Sequence, residues 1–311
     1  MLGQRHAFGV PAADLVVFLH QQRPLRRLPA LTLIHDTIPL RFGGTPLTRR
    51  AKRAFLRRVA GVSERVLTIS HHSKRSIVEQ LGASPELVDV LQFPFDPDFV
   101  DRVAAQRQQS EGPAEVALYV GNFLPHKNLS RLLAAFERTE LQAGGGRLVL
   151  AGGGKPKWVD DLAAGLTDRQ RRFVSVAPRC SQAELEGLFA TSLFLVQPSL
   201  DEGFGLPAWE ALCCGLPVCA SDGGALPELL AAAPADIVTS FPATSVPAMT
   251  VAIDECAARA RGRGRADALQ ASELVRAGAP TVAAFGARLR DIVDAHMHAR
   301  GRMPAHRREA R

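Results

Sequence analysis

The 311-residue chain has no run of about 18 apolar residues, no C-x-x-C pair, no obvious internal repeat and few aromatics. Without the long apolar run, no spanning helix is expected. Residues Met1 to Val10 carry Arg5 and His6 and lack the apolar core of a signal peptide, so a cytoplasmic protein is expected. The five cysteines, Cys180, Cys213, Cys214, Cys219 and Cys256, lack zinc-site spacing. Three of them cluster in an apolar stretch and read as buried free thiols. No aromatic-rich or helix-turn-helix pattern accompanies the basic residues, which argues against a nucleic-acid partner.

What is present is an ordinary globular composition, 46% hydrophobic and 22% charged, with a length that suits two domains. The net charge of +7 is concentrated locally. Arg23, Arg26 and Arg27 form one patch. Arg49, Arg50, Lys52, Arg53, Arg57 and Arg58 form a second, and Arg300, Arg302, Arg307, Arg308 and Arg311 a third. Such patches meet anionic lipid or phosphorylated substrates, or serve as solvated faces.

The apolar pattern alternates short strands with helices. In the first part strands are expected at Asp14–His20, Leu31–Asp36, Arg65–Ser70 and Asp89–Pro94. A helix from Pro46 to about Ala60 is expected, with Leu47, Ala51, Ala54, Phe55 and Val59 as its apolar positions. Ser73 is expected to cap a helix that runs to Leu81 and ends at Gly82. The polar stretch Asp101–Pro113 reads as a linker. Beyond it, strands are expected at Val116–Gly121, Arg147–Gly152, Arg172–Ala177, Leu193–Pro198, Pro217–Ser221 and Asp236–Ser240. Helices Leu129–Leu141 and Ser181–Thr191 lie between them, and a last helix spans about Thr281 to His296. Apolar strands separated by amphipathic helices imply parallel sheets covered on both faces, with ligands at the strands' carboxyl ends.

The chemistry centres on Glu202-Gly-Phe-Gly-Leu-Pro-Ala-Trp-Glu210. Glycines after the Leu193–Pro198 strand let backbone approach a ligand closely. Pro207 suits a helix start, where exposed amides favour an anion such as a diphosphate. The two carboxylates, eight residues apart, suit two sets of sugar hydroxyls; acids near a helix N-terminus also serve its dipole. A second strand-to-helix junction, Tyr119-Val-Gly121-Asn122 through Pro-His-Lys127-Asn128, places Lys127 where a cation meets phosphate oxygens. Asp96-Pro-Asp98 has a D-x-D look but sits near the linker, so no metal is expected.

These motifs resemble the GT-B glycosyltransferases of family 4, the glycosyl transferases group 1. The E-x7-E element of that family matches Glu202 and Glu210, and its phosphate-binding lysine matches Lys127. The resemblance implies that Glu202, Gly203, Phe204 and Gly205 contact the donor sugar and that Glu210 holds the ribose hydroxyls. It places Gly121 and Asn122 at the diphosphate, Asn122 standing where the family usually has arginine, and Arg179 beside the base. Leu33-Ile-His35-Asp36-Thr-Ile-Pro39 is similar to the family's "HD-x-x-P" turn, and Ile69-Ser70-His71-His72-Ser73-Lys74 to its "VS-x-x-S" turn. His35 matches the histidine that faces the reacting sugar; a His-Asp pair after a strand also reads as a capped turn, with Asp36 as the cap.

The implied fold is α/β and GT-B-like: two Rossmann-type parallel-sheet domains facing a cleft, the first shortened before His35 and so incomplete. The expected domains are residues 1–107, 114–285, and a helix end and basic tail at 286–311. The expected activity is retaining transfer of a hexose, mannose as first guess, from a nucleotide-diphosphate sugar to a glycan or lipid-linked acceptor in polysaccharide biosynthesis. His35, Lys127 and Glu202 are the expected catalytic residues, with no cofactor. Peripheral contact with an anionic membrane at its inner face is expected through Arg49–Arg58. The alternative is a non-catalytic nucleotide-sugar-binding protein.

Overall fold

The computed structural model describes residues 15–21, 29–109 and 114–299. Asp14, the Arg23–Arg27 patch and the basic tail from Arg300 lie outside the described residues. The chain forms two compact units. One comprises the described residues up to Ile69 together with Lys74–Val90; the other comprises Ser70–Ser73 and the residues from Leu91 onward.

The first unit holds β1 (Val16–Phe18), β2 (Ala30–Leu33), α1 (Pro39–Phe42), α2 (Pro46–Val62), β3 (Arg65–Thr68), α3 (His71–Leu81) and β4 (Val88–Val90). The first turn of α3 groups with the second unit. The strands pair in parallel in the order β1-β2-β3-β4, and Ile34, Leu56, Val59, Val66, Ile77 and Val88 share one core. Thr45 caps α2, its hydroxyl accepting from the Thr48 N–H, and Pro46 opens the helix.

The apolar positions expected to bury α2 do not all do so. Leu56 and Val59 are buried, whereas Leu47 is 77% and Phe55 37% exposed, with Ala51 and Ala54 on the same outward stripe. At about 100° per residue the apolar residues of this helix fall on two stripes, and only the one carrying Leu56 and Val59 joins the core. The cap of α3 is also shifted: Ser70 Oγ accepts from the Ser73 N–H at 3.0 Å, so Ser70, not Ser73, caps the helix. Gly82, with φ of +70°, ends it as expected.

The second unit continues with α4 (Pro97–Gln109), β5 (Val116–Asn122), α5 (Leu129–Phe136), α6 (Glu140–Ala143), β6 (Arg147–Gly153), α7 (Pro156–Gly165), β7 (Val174–Pro178) and α8 (Gln182–Thr191). It is completed by β8 (Phe194–Gln197), α9 (Leu206–Cys213), β9 (Val218–Ser221), α10 (Leu226–Leu230), β10 (Val238–Phe241), α11 (Val246–Arg261), α12 (Arg265–Gly278) and α13 (Val282–Ala299). All its strands are parallel, in the order β10-β9-β8-β5-β6-β7. The chain winds outward from β5 to β7, returns to β8 and winds out the other way, so order reverses between β5 and β8. Tyr119, Leu132, Phe136, Leu150, Phe194 and Ile253 anchor its core.

The stretch read as a linker is mostly helix α4. Asp96 Oδ1 accepts from the Asp98 and Phe99 N–H groups, Pro97 opens the helix, and Phe99, Val100 and Val103 are buried. Phe99 meets Phe189 of α8 edge-on at 5.2 Å, and Arg102 pairs with Glu186 at 2.8 Å. The glutamines that made the stretch look like a linker are good helix formers on the outer side. Asp96 of the Asp-Pro-Asp triplet is therefore a helix cap. The single helix expected from Leu129 to Leu141 is two, because Thr139 caps α6 and Asp254 takes the N–H groups of Glu140 and Leu141. All five cysteines are free. Cys213, Cys214, Cys219 and Cys256 are buried, and burial pushes the Cys213 thiol up to about 12. Among the described residues no helix is long and apolar enough to cross a membrane.

The two stripes of α2 respond differently to truncation. Leu56→Ala should lower unfolding free energy by about 2–5 kcal/mol in urea titrations, and Phe55→Ala by less than about 1 kcal/mol. Equal losses would contradict the assignment of faces.

Candidate functional site

In a doubly wound sheet, the loops leaving the two strands at the reversal point diverge and open a crevice at their carboxyl ends. Here those strands are β5 and β8, and their loops carry Lys127 and Glu202. After β5 the chain makes a short 3-10 turn, Pro125–Lys127, and Asn128 adopts a left-handed conformation with φ of +61°. The Asn128 side-chain amide donates to the carbonyls of Pro198 and Ala243, at 2.9 and 2.7 Å, which ties this turn to the segments that follow β8 and β10. The Leu200 N–H donates to the His126 carbonyl at 2.7 Å, a second tie between the two loops.

The Lys127 ammonium consequently lies 2.6 Å from Glu202 Oε1, with both side chains about nine-tenths buried. The same oxygen accepts from Gln197 Nε2 and from Ser199 Oγ, each at 2.6 Å. Taking two charges out of water costs several kcal/mol per ion unless the geometry and further hydrogen bonds compensate; three donors converging on one carboxylate oxygen supply that compensation. Glu202 Oε2 receives no donor from the described residues. Gly224, at φ of +67°, lies under this loop: a Cβ there would come within 2.2 Å of the Glu202 nitrogen, so only glycine permits the approach.

Beyond Glu202, Gly205 adopts φ of +93° and α9 begins at Leu206 with Pro207 second. The N–H groups of Gly203, Phe204, Gly205 and Leu206 find no acceptor among the described residues. Four unpaired amides beside a helix start form an anion-accepting surface. The Phe204 side chain turns inward, edge-on to Phe93 and to Trp209, so this residue offers the site its backbone only.

The Tyr119 side chain, given no role in the sequence reading of this junction, supports it. Its O–H donates to the Asn122 carbonyl at 2.6 Å, and burial, then the Glu202 carboxylate, holds the phenol well above its ordinary pKa. A Cβ at Gly121 would meet that hydroxyl at 2.8 Å, which explains the glycine. Burial, and next the Lys127 ammonium, lowers the His126 pKa. Polar residues at the carboxyl ends of buried strands, Gln197 and Ser199 above all, were the available signal for these supports.

Arg179 and Glu210 make no hydrogen bond to the pair. Arg179 follows the edge strand β7, exposed, with φ of +58° and no partner among the described residues. His35 lies in the first unit just past β2. Burial lowers its pKa, Asp36 opposing and His20 reinforcing the shift, and Asp36 Oδ1 caps the turn by accepting from the Ile38 N–H at 2.9 Å. Glu210 sits on α9, and its carboxyl has no hydrogen-bond partner among the described residues. Burial, then the Asp96 carboxylate, raises its pKa to about 7.

A carboxyl whose folded pKa exceeds its unfolded value binds protons better when folded. Its stabilising contribution is therefore complete below about pH 4.5 and lost as pH rises to about 7. Glu210→Gln should flatten the fall in unfolding free energy between pH 5 and pH 8, recovering on the order of 2 kcal/mol at pH 8. An unchanged pH profile would contradict a raised carboxyl pKa at this position.

The chain is similar to known proteins. The glycosyl transferases group 1 family matches residues 102–250. O-antigen chain mannosyltransferase B of Escherichia coli is 29% identical over 172 residues, covering 53% of this chain and 45% of that protein. A D-inositol 3-phosphate glycosyltransferase of Streptomyces bingchenggensis is 32% identical over 191 residues, covering 54% and 40% respectively. The chain thus spans about half the length of the curated relatives it matches. Anabaena HepE, solved in complex with UDP, is similar in fold with a TM-score of 0.70 at 19% identity, over 91% of this chain and 79% of that one. The fold, two parallel-sheet α/β units, is that of GT-B glycosyltransferases, and the crevice of the second unit lies within the stretch that matches the glycosyl transferases group 1 model.

Proposed function

We propose that this chain transfers a hexose from a nucleotide-diphosphate sugar to a glycan or lipid-linked acceptor, with retention at the sugar's anomeric carbon. The observation that carries the reading is the Lys127–Glu202 pair at the β5/β8 reversal, with an unpaired Glu202 oxygen and four unpaired amides beside it. In this reading Lys127 turns to the diphosphate while Glu202 Oε1 keeps Gln197 and Ser199 as donors. Glu202 Oε2 accepts from a donor-sugar hydroxyl, and the Gly203–Leu206 amides meet phosphate or sugar oxygens. The unpartnered Glu210 carboxyl accepts from the ribose hydroxyls, as the family resemblance implies.

The bond between the anomeric carbon and the leaving phosphate oxygen breaks as the acceptor hydroxyl attacks the same face. A donor phosphate oxygen takes the hydroxyl proton, and no step is routed through a metal. Lys127 and the amides stabilise the charge that develops on the departing diphosphate, an electrostatic contribution that is strong where water is excluded. Arg179 is proposed to meet the base and Gly121 and Asn122 the diphosphate. His35 is proposed to serve the reacting sugar. Mannose is the proposed hexose, supported by likeness to the Escherichia coli mannosyltransferase, while likeness to the inositol 3-phosphate enzyme leaves other sugars to be assayed.

Purified protein should turn over at least one GDP- or UDP-hexose. Lys127→Ala and Glu202→Ala should each lower kcat roughly 10²–10³-fold, with nucleotide binding retained in Glu202→Ala. Turnover unchanged in these variants would sink the residue roles. Binding without turnover in the wild type would instead favour a nucleotide-sugar-binding protein.

The membrane partner is proposed on the outward stripe of α2. Leu47, Ala51, Ala54 and Phe55 are exposed there on one face with Arg50 and Arg58, a mixed apolar and cationic surface. Each cation near an anionic headgroup layer contributes about 1 kcal/mol. The full chain should sediment with phosphatidylglycerol-containing vesicles at low salt and dissociate as salt rises, and Leu47→Ser with Phe55→Ser should weaken binding. No sedimentation at low salt would contradict this partner.

A further inference from the structure

At the junction of β3 and α3 the chain reads Ser70-His71-His72-Ser73; Ser70, His72 and Ser73 bond to the loop that carries Glu202, and His71 to Glu228 of α10. Ser70 Oγ donates to the Gly203 carbonyl at 2.6 Å, and Ser73 Oγ donates to the same oxygen at 3.1 Å. His72 Nε2 lies 3.1 Å from Asp201 Oδ1, and the His71 N–H donates to the Glu228 carboxylate at 3.0 Å. Both serines are almost wholly buried. Helix capping accounts for none of these contacts: the separate Ser73 N–H to Ser70 Oγ bond satisfies the start of α3 and leaves the Ser73 hydroxyl without a capping task.

We propose that Ser70 and Ser73 are positioning residues for the nucleotide-sugar donor, fixing the Gly203–Phe204 peptide so that its N–H is presented to the donor. The inference rests on the donor role proposed above for this loop. A peptide group is planar and its N–H points opposite to its C=O when trans, as it is here. Two hydroxyls holding the Gly203 carbonyl from one side therefore aim the Phe204 N–H to the other. That N–H has no acceptor among the described residues. Donation to the carbonyl also polarises the peptide, which makes its N–H a stronger donor. The Phe204 ring, wedged against Phe93 and Trp209, resists rotation of the same peptide from the other end. The His72–Asp201 and His71–Glu228 bonds hold the flanking backbone in register.

Ser73→Ala removes one clamp while leaving the helix cap in place. In the full-length protein it should lower kcat with the preferred nucleotide sugar by roughly tenfold, a fraction of the loss seen when an oxyanion donor is deleted outright. Its affinity for the nucleotide sugar, measured by calorimetry, should weaken, while affinity for the matching nucleoside monophosphate and the melting temperature stay at wild-type values. Ser73→Thr, which keeps the hydroxyl, should restore kcat to within about threefold. Wild-type turnover in Ser73→Ala would overturn the inference while leaving the proposed activity standing. So would a parallel loss of kcat, monophosphate affinity and melting temperature, which marks a merely structural role. A wild type that neither binds nor turns over any nucleotide sugar would sink the proposed activity itself, and this inference with it.

Discussion

Lys127 and Glu202 meet at 2.6 Å in a region that excludes most water, and much of the second unit serves that contact. The two residues are far apart in the chain and belong to loops after strands that are not sequential. They become neighbours because the sheet reverses its order between β5 and β8. The supports are local: Gln197 and Ser199 share the carboxylate oxygen, Asn128 ties the lysine turn across the crevice, and Gly224 lets a neighbouring turn pass beneath the glutamate. Removing one partner of such a pair strands a buried charge, whereas a ligand that replaces the partner does not. An ion pair of this kind stands ready for exchange with a charged ligand.

Glu210 follows the same logic from the opposite direction. A half-buried carboxyl without a hydrogen-bond partner disfavours its charged form, and burial, then the Asp96 carboxylate, raises its pKa to about 7. A carboxyl shielded from water usually finds a partner, and a bound group would complete the hydrogen bonding here. The unpaired amides from Gly203 to Leu206 and the open oxygen of Glu202 are further incomplete groups in the same loop and helix start. Stability given up at several neighbouring positions is the usual signature of a ligand site rather than of poor packing.

Much of this was legible in the sequence, for identifiable reasons. Apolar runs of strand length bounded by glycine and proline located the strands, and the Glu202–Glu210 element marked the reversal loop because its glycines and Pro207 have few other uses after a buried strand. The mutual contact of Lys127 and Glu202 was not legible, since it depends on strand order, which local pattern does not encode. The outward stripe of α2 was misassigned because apolar residues occupy two sides of that helix, and periodicity alone does not say which side meets the sheet. Helix α4 was hidden by its glutamines; only the spacing of Phe99, Val100 and Val103 behind Asp96 and Pro97 betrayed it. Ser70 and Ser73 were visible as a motif, but their shared acceptor lies about 130 residues away.

The central claim is that the Lys127–Glu202 pair is the resting form of a diphosphate site. A crystal structure with the nucleoside diphosphate of the preferred donor tests it most directly. The account predicts the Lys127 ammonium on a phosphate oxygen, Glu202 still held by Gln197 and Ser199, and the Gly203–Leu206 amides facing the ligand. A diphosphate bound elsewhere, with the Lys127–Glu202 pair intact, would contradict it.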